Sequence, residues 1–535
     1  MTDNQQTASA AAKTGAWSPF RHSAFAMLWT ATLLSNVGTW MHDVGAGWLM
    51  TELSPSPLVV AAVQAATTLP IFLFALPAGA LADIVDRRRL LITVNLMLGA
   101  VAAVLAFLVS QNAVTPTTLL LVTFVMGTGA AVMAPAWQAV VPQLVPKEEL
   151  TSAVALNSMG INISRAIGPA LAGFLIVAYG IATPFLLNAI SVIGIVAALL
   201  WWRVPASRES KVPPESIIPA MISGVRYALH SAPLKSTLVR AAAFFVFGSA
   251  FWALLPLIAR QVLAGDATLY GILLGCLGAG AVAGAILLPK IKGRLGPDGT
   301  IMFGTVGLAA VIVLMALVPN WYLAAVAAAL AGVCWISVLS TLNVSAQTAL
   351  PNWVRARGLS IFLMVFYGSM TIGSIMWGHL ASHVGIPSAL LAAAAGAIVA
   401  MLLTRNVKLN QSEEMDLAPA MHWPEPVITG DHEGERGPVM IQVPYEIAPE
   451  DRARFLDLMK DLAEARRRNG AFSWMLMEDL TVPNRFIETW REASWLHHLR
   501  HHERVTGADR LVQEEVWKLN RSGAQPLATH WGSAG

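Results

Sequence analysis

Four residues stand out because their chemistry is expensive where the sequence puts it. Asp43, Arg165, Asn36 and Gln138 each lie within an apolar run of membrane-spanning length. A charge at the centre of a bilayer costs roughly 3 kcal/mol or more unless it faces protein or water. Arg165, in NSMGINISRAIGPALAG, reads as a cation lining a cavity or as the partner of a buried acid. Packing against asparagines and backbone carbonyls is the plainer alternative. Asp43, in SNVGTWMHDVGAGWLM, is the acid set deepest in the first half. Proton coupling needs a carboxylate whose hold on a proton changes with its surroundings, and Asp43 is the residue for it, with Arg165 or His42 as neighbour. It also lies in the outer third of its span, where an acid is open to simple solvation. Asn36 and Gln138 either line the same path or bond between helices. Trp40, Trp48, Trp137, Trp252, Trp335 and Trp377 supply aromatic surface for a flat lipophilic compound, or interface belts.

The elements that hold these residues are membrane helices. Of 535 residues, 56% are hydrophobic and 13% charged, about half the charge of an ordinary soluble domain. Spans of roughly 20 apolar residues fall near 24–50, 57–82, 90–110, 116–141, 153–178, 183–203, 235–261, 268–289, 299–318, 321–346, 358–383 and 386–404. Basic residues alternate with this count. Arg87, Arg88, Arg89, Lys147, Arg203, Lys290, Arg294 and Arg355 fall on one side, and essentially Arg260 alone falls on the other. An even number of spans with both termini cytoplasmic follows from the positive-inside rule. A shift of 205 residues superposes Gly79 on Gly284, Arg87 on Lys292, Gly99 on Gly304, Gly168 on Gly373 and Gly173 on Gly378. Two parallel six-helix bundles, 23–203 and 234–404, are therefore expected, with the substrate path between them. Residues 1–22 read as a disordered cytoplasmic N-terminus. Residues 204–233 read as a linker carrying a short amphipathic surface helix, with Arg226 on its polar side, that serves only as a tether.

Residues 1–404 carry 19 Lys+Arg against 11 Asp+Glu, whereas 405–535 carry 16 against 21. The change of sign marks a change of solvent. Residues 405–437 read as a linker, 438–520 as a cytoplasmic α+β domain and 521–535 as a disordered tail. The pattern in the domain is strand 439–446, helix 450–468, strands 471–481 and 484–491, helix 494–508 and strand 511–518, a βαββαβ order pointing to a ferredoxin-like sandwich. A domain this small buries a face by dimerising or by docking on the transporter. His497 with His501, and His498 with His502, are spaced as metal-ligand pairs on a helix, but no carboxylate or cysteine near them in sequence completes a set. A solvated or dimer-facing helix is the expectation, with metal binding or pH sensing as the alternative. Cys276 and Cys334 lie in apolar runs without partner spacing. No cofactor, metal or nucleic acid is expected.

The segment GALADIVDRRR, Gly79 to Arg89, packs a glycine, two acids and three arginines into a turn after an apolar run. Gly79, Leu81, Asp83, Arg87 and Arg88 resemble the loop between helices two and three of the major facilitator superfamily, with Asp86 in place of the usual glycine and Ile84 in place of a frequent arginine. The resemblance implies that Asp83 holds the two halves together on the cytoplasmic face, with Arg87 and Arg88 as charge partners. Reading the arginines as topology markers that meet lipid phosphate is the alternative. Gly168, Pro169 and Gly173 resemble the fifth-helix motif of the superfamily's antiporters, with Ala172 and Ser164 replacing two glycines, and imply export. The whole layout, with Trp40, Met41, Trp48, His422 to Pro426 and Ser494 to Arg510, is similar to the bacterial transmembrane secretion effector branch.

That resemblance implies a non-enzymatic, proton-driven exporter of siderophores, macrolides or other amphipathic small molecules across a bacterial inner membrane. No phosphate loop of the form GxxxxGK followed by Ser or Thr is present to supply ATP energy. An importer or facilitator of a polar metabolite, and a membrane-anchored enzyme or sensor acting through residues 439–518, are the alternatives.

Overall fold

The computed structural model describes residues 15–202, 217–409, 416–420, 423, 437–521 and 525–532. Most of the N-terminal segment, much of the 405–437 linker and the resemblance residues His422 and Pro424 to Pro426 lie outside them. So do the side chains of Asp83, Ile217 and Ile218.

The chain divides into two compact units. The first holds Met1–Pro213, Arg240–Thr341 and Leu363–Asn406. Its helices are α1 (Ser23–Leu53), α2 (Pro57–Ile84), α3 (Arg87–Ser110), α4 (Pro116–Val140), α5 (Leu150–Tyr179) and α6 (Ala182–Trp201). These are followed by most of α8 (Ala232–Leu257), α9 (Ala267–Leu317), the first part of α10 (Trp321–Thr348), the main part of α11 (Arg355–Val384) and α12 (Ile386–Thr404). Among the described residues, ten helices are long and apolar enough to cross a membrane. α9, at 51 residues, is two helices joined across a kink, because Gly296 at φ 66° breaks it in a conformation only glycine adopts freely. This break sits between the two spans expected at 268–289 and 299–318. The chain before α1 is ordered further than expected: Ser18–Arg21 forms a short 3-10 turn, and Phe20 packs edge-on against Phe25 and Trp29.

Prolines punctuate the starts of α2, α4 and α12, where a missing N–H costs nothing. Asp86, the departure from the family glycine, has a local purpose: it caps α3 by accepting from Arg89 N at 2.7 Å. Arg88 donates to the carbonyls of Leu199 and Leu200, satisfying the last turn of α6.

The second unit holds Pro214–Val239, Leu342–Phe362 and Val407–Gly535. It contains α7 (Ile217–His230), the helix expected in the linker, and the C-terminal α+β domain. The domain's elements are β1 (Val439–Glu446), α13 (Arg452–Asn469), β2 (Phe472–Glu478), β3 (Arg485–Glu492), α14 (Trp495–Arg504), α15 (Gly507–Lys518) and β4 (Thr529–Gly532). The sheet order is β2-β3-β1-β4 with every pairing antiparallel. Two expectations are corrected here. Residues 511–518 form a helix, because Thr506 and Asp509 make a reciprocal capping box that starts α15. The fourth strand lies at Thr529–Gly532, within the stretch expected to be a disordered tail, where it completes the edge of β1. The core is Ile441, Val443, Tyr445, Phe455, Met459, Leu462, Phe486 and Trp490.

Candidate functional site

The two halves of the membrane unit meet through close helix crossings. On α5, a side chain at Gly173 would sit 2.5 Å from Ala267 O and 3.1 Å from Gly271 Cα of α9; one at Gly271 would meet Pro169 O at 2.5 Å. The fifth-helix motif is thus where backbone approaches backbone. Gly168 faces the first half's own Trp40 at 2.6 Å from its missing Cβ. The repeat partner of Gly173 does the equivalent work: Gly378 of α11 leaves room for Ala61 and Leu58 of α2. Further along the same crossing, Thr68 and Thr371 share a buried 2.7 Å hydrogen bond, and Ser382 Oγ accepts from Leu58 N at 3.1 Å. Beside these crossings, Trp48 stacks on Tyr270 at 6.3 Å, and Arg260 donates to Thr51 at 3.0 Å while lying over Trp48. Glu52 accepts from the Trp48 indole at 2.8 Å. Apart from the Thr68–Thr371 bond and the Gly168–Trp40 approach, which lie deeper, these contacts fall where α1, α5, α8 and α11 near or pass their C-terminal ends and α2 and α9 begin, so the halves are closed at that end.

Below this closure lies a cavity of about 140 Å³. Asp43 stands in its wall with Trp40, Val44, Gln64, Thr67, Trp252, Pro256 and Tyr270. The wall draws on α1, α2, α8 and α9, two helices from each half. One carboxylate, one amide, one phenol, one threonine hydroxyl and two indoles in an otherwise apolar shell suit a molecule with a flat apolar body and few polar groups.

The other residues singled out in the sequence are distributed around it. Arg165 lies outside the cavity wall, with its guanidinium over the Trp40 ring at 5.6 Å. Its Nε is buried without a partner, and among the described residues no carboxylate pairs with it. Trp40 therefore has Asp43 in its own wall and Arg165 against its ring. His42 turns the other way, onto Phe185 of α6 at 4.9 Å, so it is a packing residue rather than a neighbour of the cavity. Asn36 is half-buried, Gln138 is exposed, and neither joins the wall. The Trp137 indole donates to Asn157 at 3.1 Å. Trp335 packs among Phe244, Phe245 and Trp252, and Trp377 donates to Val246 O. Of the six tryptophans, Trp40 and Trp252 line the cavity and Trp48 lies at the closure. Tyr270 is the wall residue that sequence reasoning missed. One of only 6 tyrosines, it follows the Asp266 cap of α9 by one turn, and a hydroxyl at that depth was the available signal.

In the C-terminal domain, Glu492 organises the histidines. His501 Nδ1 lies 2.5 Å and His498 Nδ1 3.2 Å from its two oxygens, and the Trp490 indole donates to it at 2.9 Å. His498 and His502 meet Nε2 to Nε2 at 3.2 Å, and His530 stacks edge-on against His498. The two imidazoles hold the Glu492 carboxyl well below the usual carboxylate range, while burial lowers His501. Among the described residues, no three His, Cys, Asp or Glu side chains are arranged to hold a metal ion.

Solved structures that share this fold include transporters. A bacterial homologue of the human lysosomal transporter Spinster, in an inward-facing unoccupied conformation, superposes with a TM-score of 0.57 at 14% identity, covering 73% of this chain and 97% of that one. A peptide transporter superposes with 0.60 at 12% identity over 76% and 98%. These likenesses show the fold of the membrane unit, here followed by an α+β segment. The model of the transmembrane secretion effector family matches residues 14–533, and the chain belongs to that family. Among curated relatives, the staphyloferrin A transporter of Staphylococcus aureus is 26% identical over 362 residues, covering 67% of this chain and 89% of the relative. The enterobactin exporter of Escherichia coli is 25% identical over 366 residues, covering 67% and 85%. A multidrug efflux pump of Mycobacterium tuberculosis is 24% identical over 424 residues, covering 76% and 98%. The protein is a secondary active transporter of small molecules, not an enzyme.

Proposed function

We propose that the chain is a proton-coupled exporter of amphipathic small molecules, of the kind that siderophores and macrolides represent, working by alternating access in a bacterial inner membrane. The observation that carries this reading is the cavity itself: a lone carboxylate, Asp43, in an aromatic wall shared by both halves and closed at one end. Counting α1, and α9 as two spans, gives twelve crossings with both termini cytoplasmic, so the closed end faces outward and the cavity loads from within. Asp43 exchanges the coupling proton, and Arg165, unpaired and seated on Trp40, receives an acidic group of the substrate on its path. Asn36 and Gln138 belong to the entry route. Gly79, Asp83, Arg87 and Arg88 form the cytoplasmic switch, and Gly168, Pro169 and Gly173 form the antiporter-type seal. The names of the relatives favour export of chelators and drugs over import. The strand order β2-β3-β1-β4 favours a ferredoxin-like tail, and its exposed Met475, Met477 and Leu480 favour dimerisation through the sheet.

The test is an efflux screen of a deletion strain across siderophores, macrolides and dyes, with and without a protonophore. Accumulation in the deletion strain, reversed by the intact gene and abolished by the protonophore, is expected. Efflux indifferent to the protonophore removes the coupling, and uptake into right-side-out vesicles removes the direction.

A further inference from the structure

The second compact unit gathers three stretches far apart in sequence: the linker helix α7, the turn before α11 and the C-terminal domain. Tyr227 of α7 is where they meet. It is 3% exposed, its hydroxyl donates to Ala349 O at 3.1 Å, and its ring lies edge-on to Trp353 at 5.9 Å. Arg468 of α13 lies over the same ring at 5.9 Å. Beside it, Arg226 Nη1 donates to the Gly470 carbonyl at 2.7 Å, and His230 Nδ1 lies 2.8 Å from Glu464 Oε2. Arg504, at the end of α14, lies over Trp353 at 4.3 Å and is 7% exposed. Gly470 ends α13 at φ 132°, a left-handed backbone that leaves its carbonyl free for Arg226. Gly224 brings α7 against Arg357 in the first turn of α11, 2.9 Å from where a Cβ would stand.

A tether needs none of this. A connection between halves works as a flexible chain, and fixing fourteen residues as a docked helix costs conformational entropy that contacts must offset. We propose that the C-terminal domain is an intrachain clamp that holds α7 against the turn before α11 and biases the transporter toward the state described above, with its outer end closed. The inference rests on the alternating-access reading. Contacts that are complete in one state and must be rearranged in the other favour the first by their difference in energy. The clamp residues come from the linker, from the second half and from the tail, so any shift of the linker against the second half reaches all three.

The experiment uses the full chain carrying Cys276→Ser and Cys334→Ala, with Gln64→Cys in the cavity wall as reporter. Labelling by a membrane-impermeant maleimide added to intact cells measures how often the cavity opens outward. Arg226→Ala with Arg504→Ala is expected to raise the labelling rate at least threefold, and to raise deuterium uptake in peptides spanning 217–230 and 349–354 in the purified protein. Arg226→Lys, which keeps the donor to Gly470, restores both values. Arg452→Ala, which breaks the Arg452–Glu478 pair within the domain, changes neither. His230→Cys with Glu464→Cys, bridged by a short bifunctional thiol reagent in the purified clamp variant, returns the uptake of 217–230 toward wild type. Unchanged deuterium uptake in the double alanine variant overturns the clamp, and increased uptake with unchanged labelling overturns its bias on the cycle. Absence of outward labelling in every variant, wild-type clamp included, overturns the alternating-access reading together with the bias.

Discussion

Asp43 and Arg165 both neighbour Trp40, the first in the same cavity wall and the second over its ring, and their surroundings assign them different work. Asp43 has no cation against it within the cavity wall, so its exchange of a proton answers to water and substrate in the cavity. Asp43→Asn keeps the volume and removes the exchange. Gradient-driven export in everted vesicles is expected to fall at least tenfold while substrate exchange without a gradient persists; undiminished gradient-driven export would sink the coupling role. Arg165 is a cation with a buried, unpartnered Nε and, among the described residues, no carboxylate, a group that costs rather than adds stability. Arg165→Met, which copies its repeat mate Met370, is expected to leave the thermal midpoint in detergent unchanged or higher while transport drops at least tenfold. A clear fall in the midpoint would mean that Arg165 is a packing residue instead. Both charges were legible in the sequence because charge in an apolar run is rare. The convergence of Gln64, Thr67 and Tyr270 on Asp43 was not, since helices apolar on nearly every face carry little periodic signal of which side is inward.

At the scale of elements, glycine position carries more than glycine count. The 205-residue shift read from sequence pairs Gly173 with Gly378, and each admits a helix of the opposite half, α9 in one case and α2 in the other. The repeat was legible because crossings of this kind tolerate nothing larger. Gly173→Val places methyl groups against the Ala267 carbonyl, and overpacking of this sort costs about 1–3 kcal/mol. The closed outer end should weaken: a lower thermal midpoint and faster outward labelling of Gln64→Cys are expected, and a variant matching wild type in both would show that the α5–α9 crossing yields freely. The strand placed at 511–518 failed for a physical reason also visible in the residues. Leu511, Val512, Val516 and Trp517 fit strand or helix in so short a run, and the deciding signal was the cap formed by Thr506 and Asp509 one turn earlier. Trp423 carried part of the family resemblance in the sequence, but no local pattern gave its partners. It is fixed by partners distant in sequence, the Gln513 side chain that accepts from its indole at 2.8 Å and the Arg466 guanidinium over its ring at 4.8 Å.

Across the whole molecule, the change of net charge after residue 404 separates parts that answer differently to acid. Two imidazoles of the C-terminal domain are held neutral: burial, then the neighbouring His498, push His502 down to about 3 and His530 down to about 4. In the unfolded chain these rings take protons below about pH 6.5. Between that pH and their folded values the unfolded state therefore binds more protons than the native one, and native stability falls as pH falls. Glu492 acts in the same direction lower down, because its carboxyl is held below its ordinary value of 4.5: the stability it contributes is present above that value and is lost as pH drops through the folded one. Exchange protection of β1 and β3, corrected for the intrinsic pH dependence of exchange, should accordingly drop at least tenfold between pH 7 and pH 5 in the full-length protein. Peptides from α5 and α9 should keep theirs. His502→Gln combined with His530→Gln should remove at least half of the drop, since a glutamine takes up no proton in either state. Equal loss in both units, or a drop untouched by the substitutions, would place the acid sensitivity somewhere other than the histidines around Glu492.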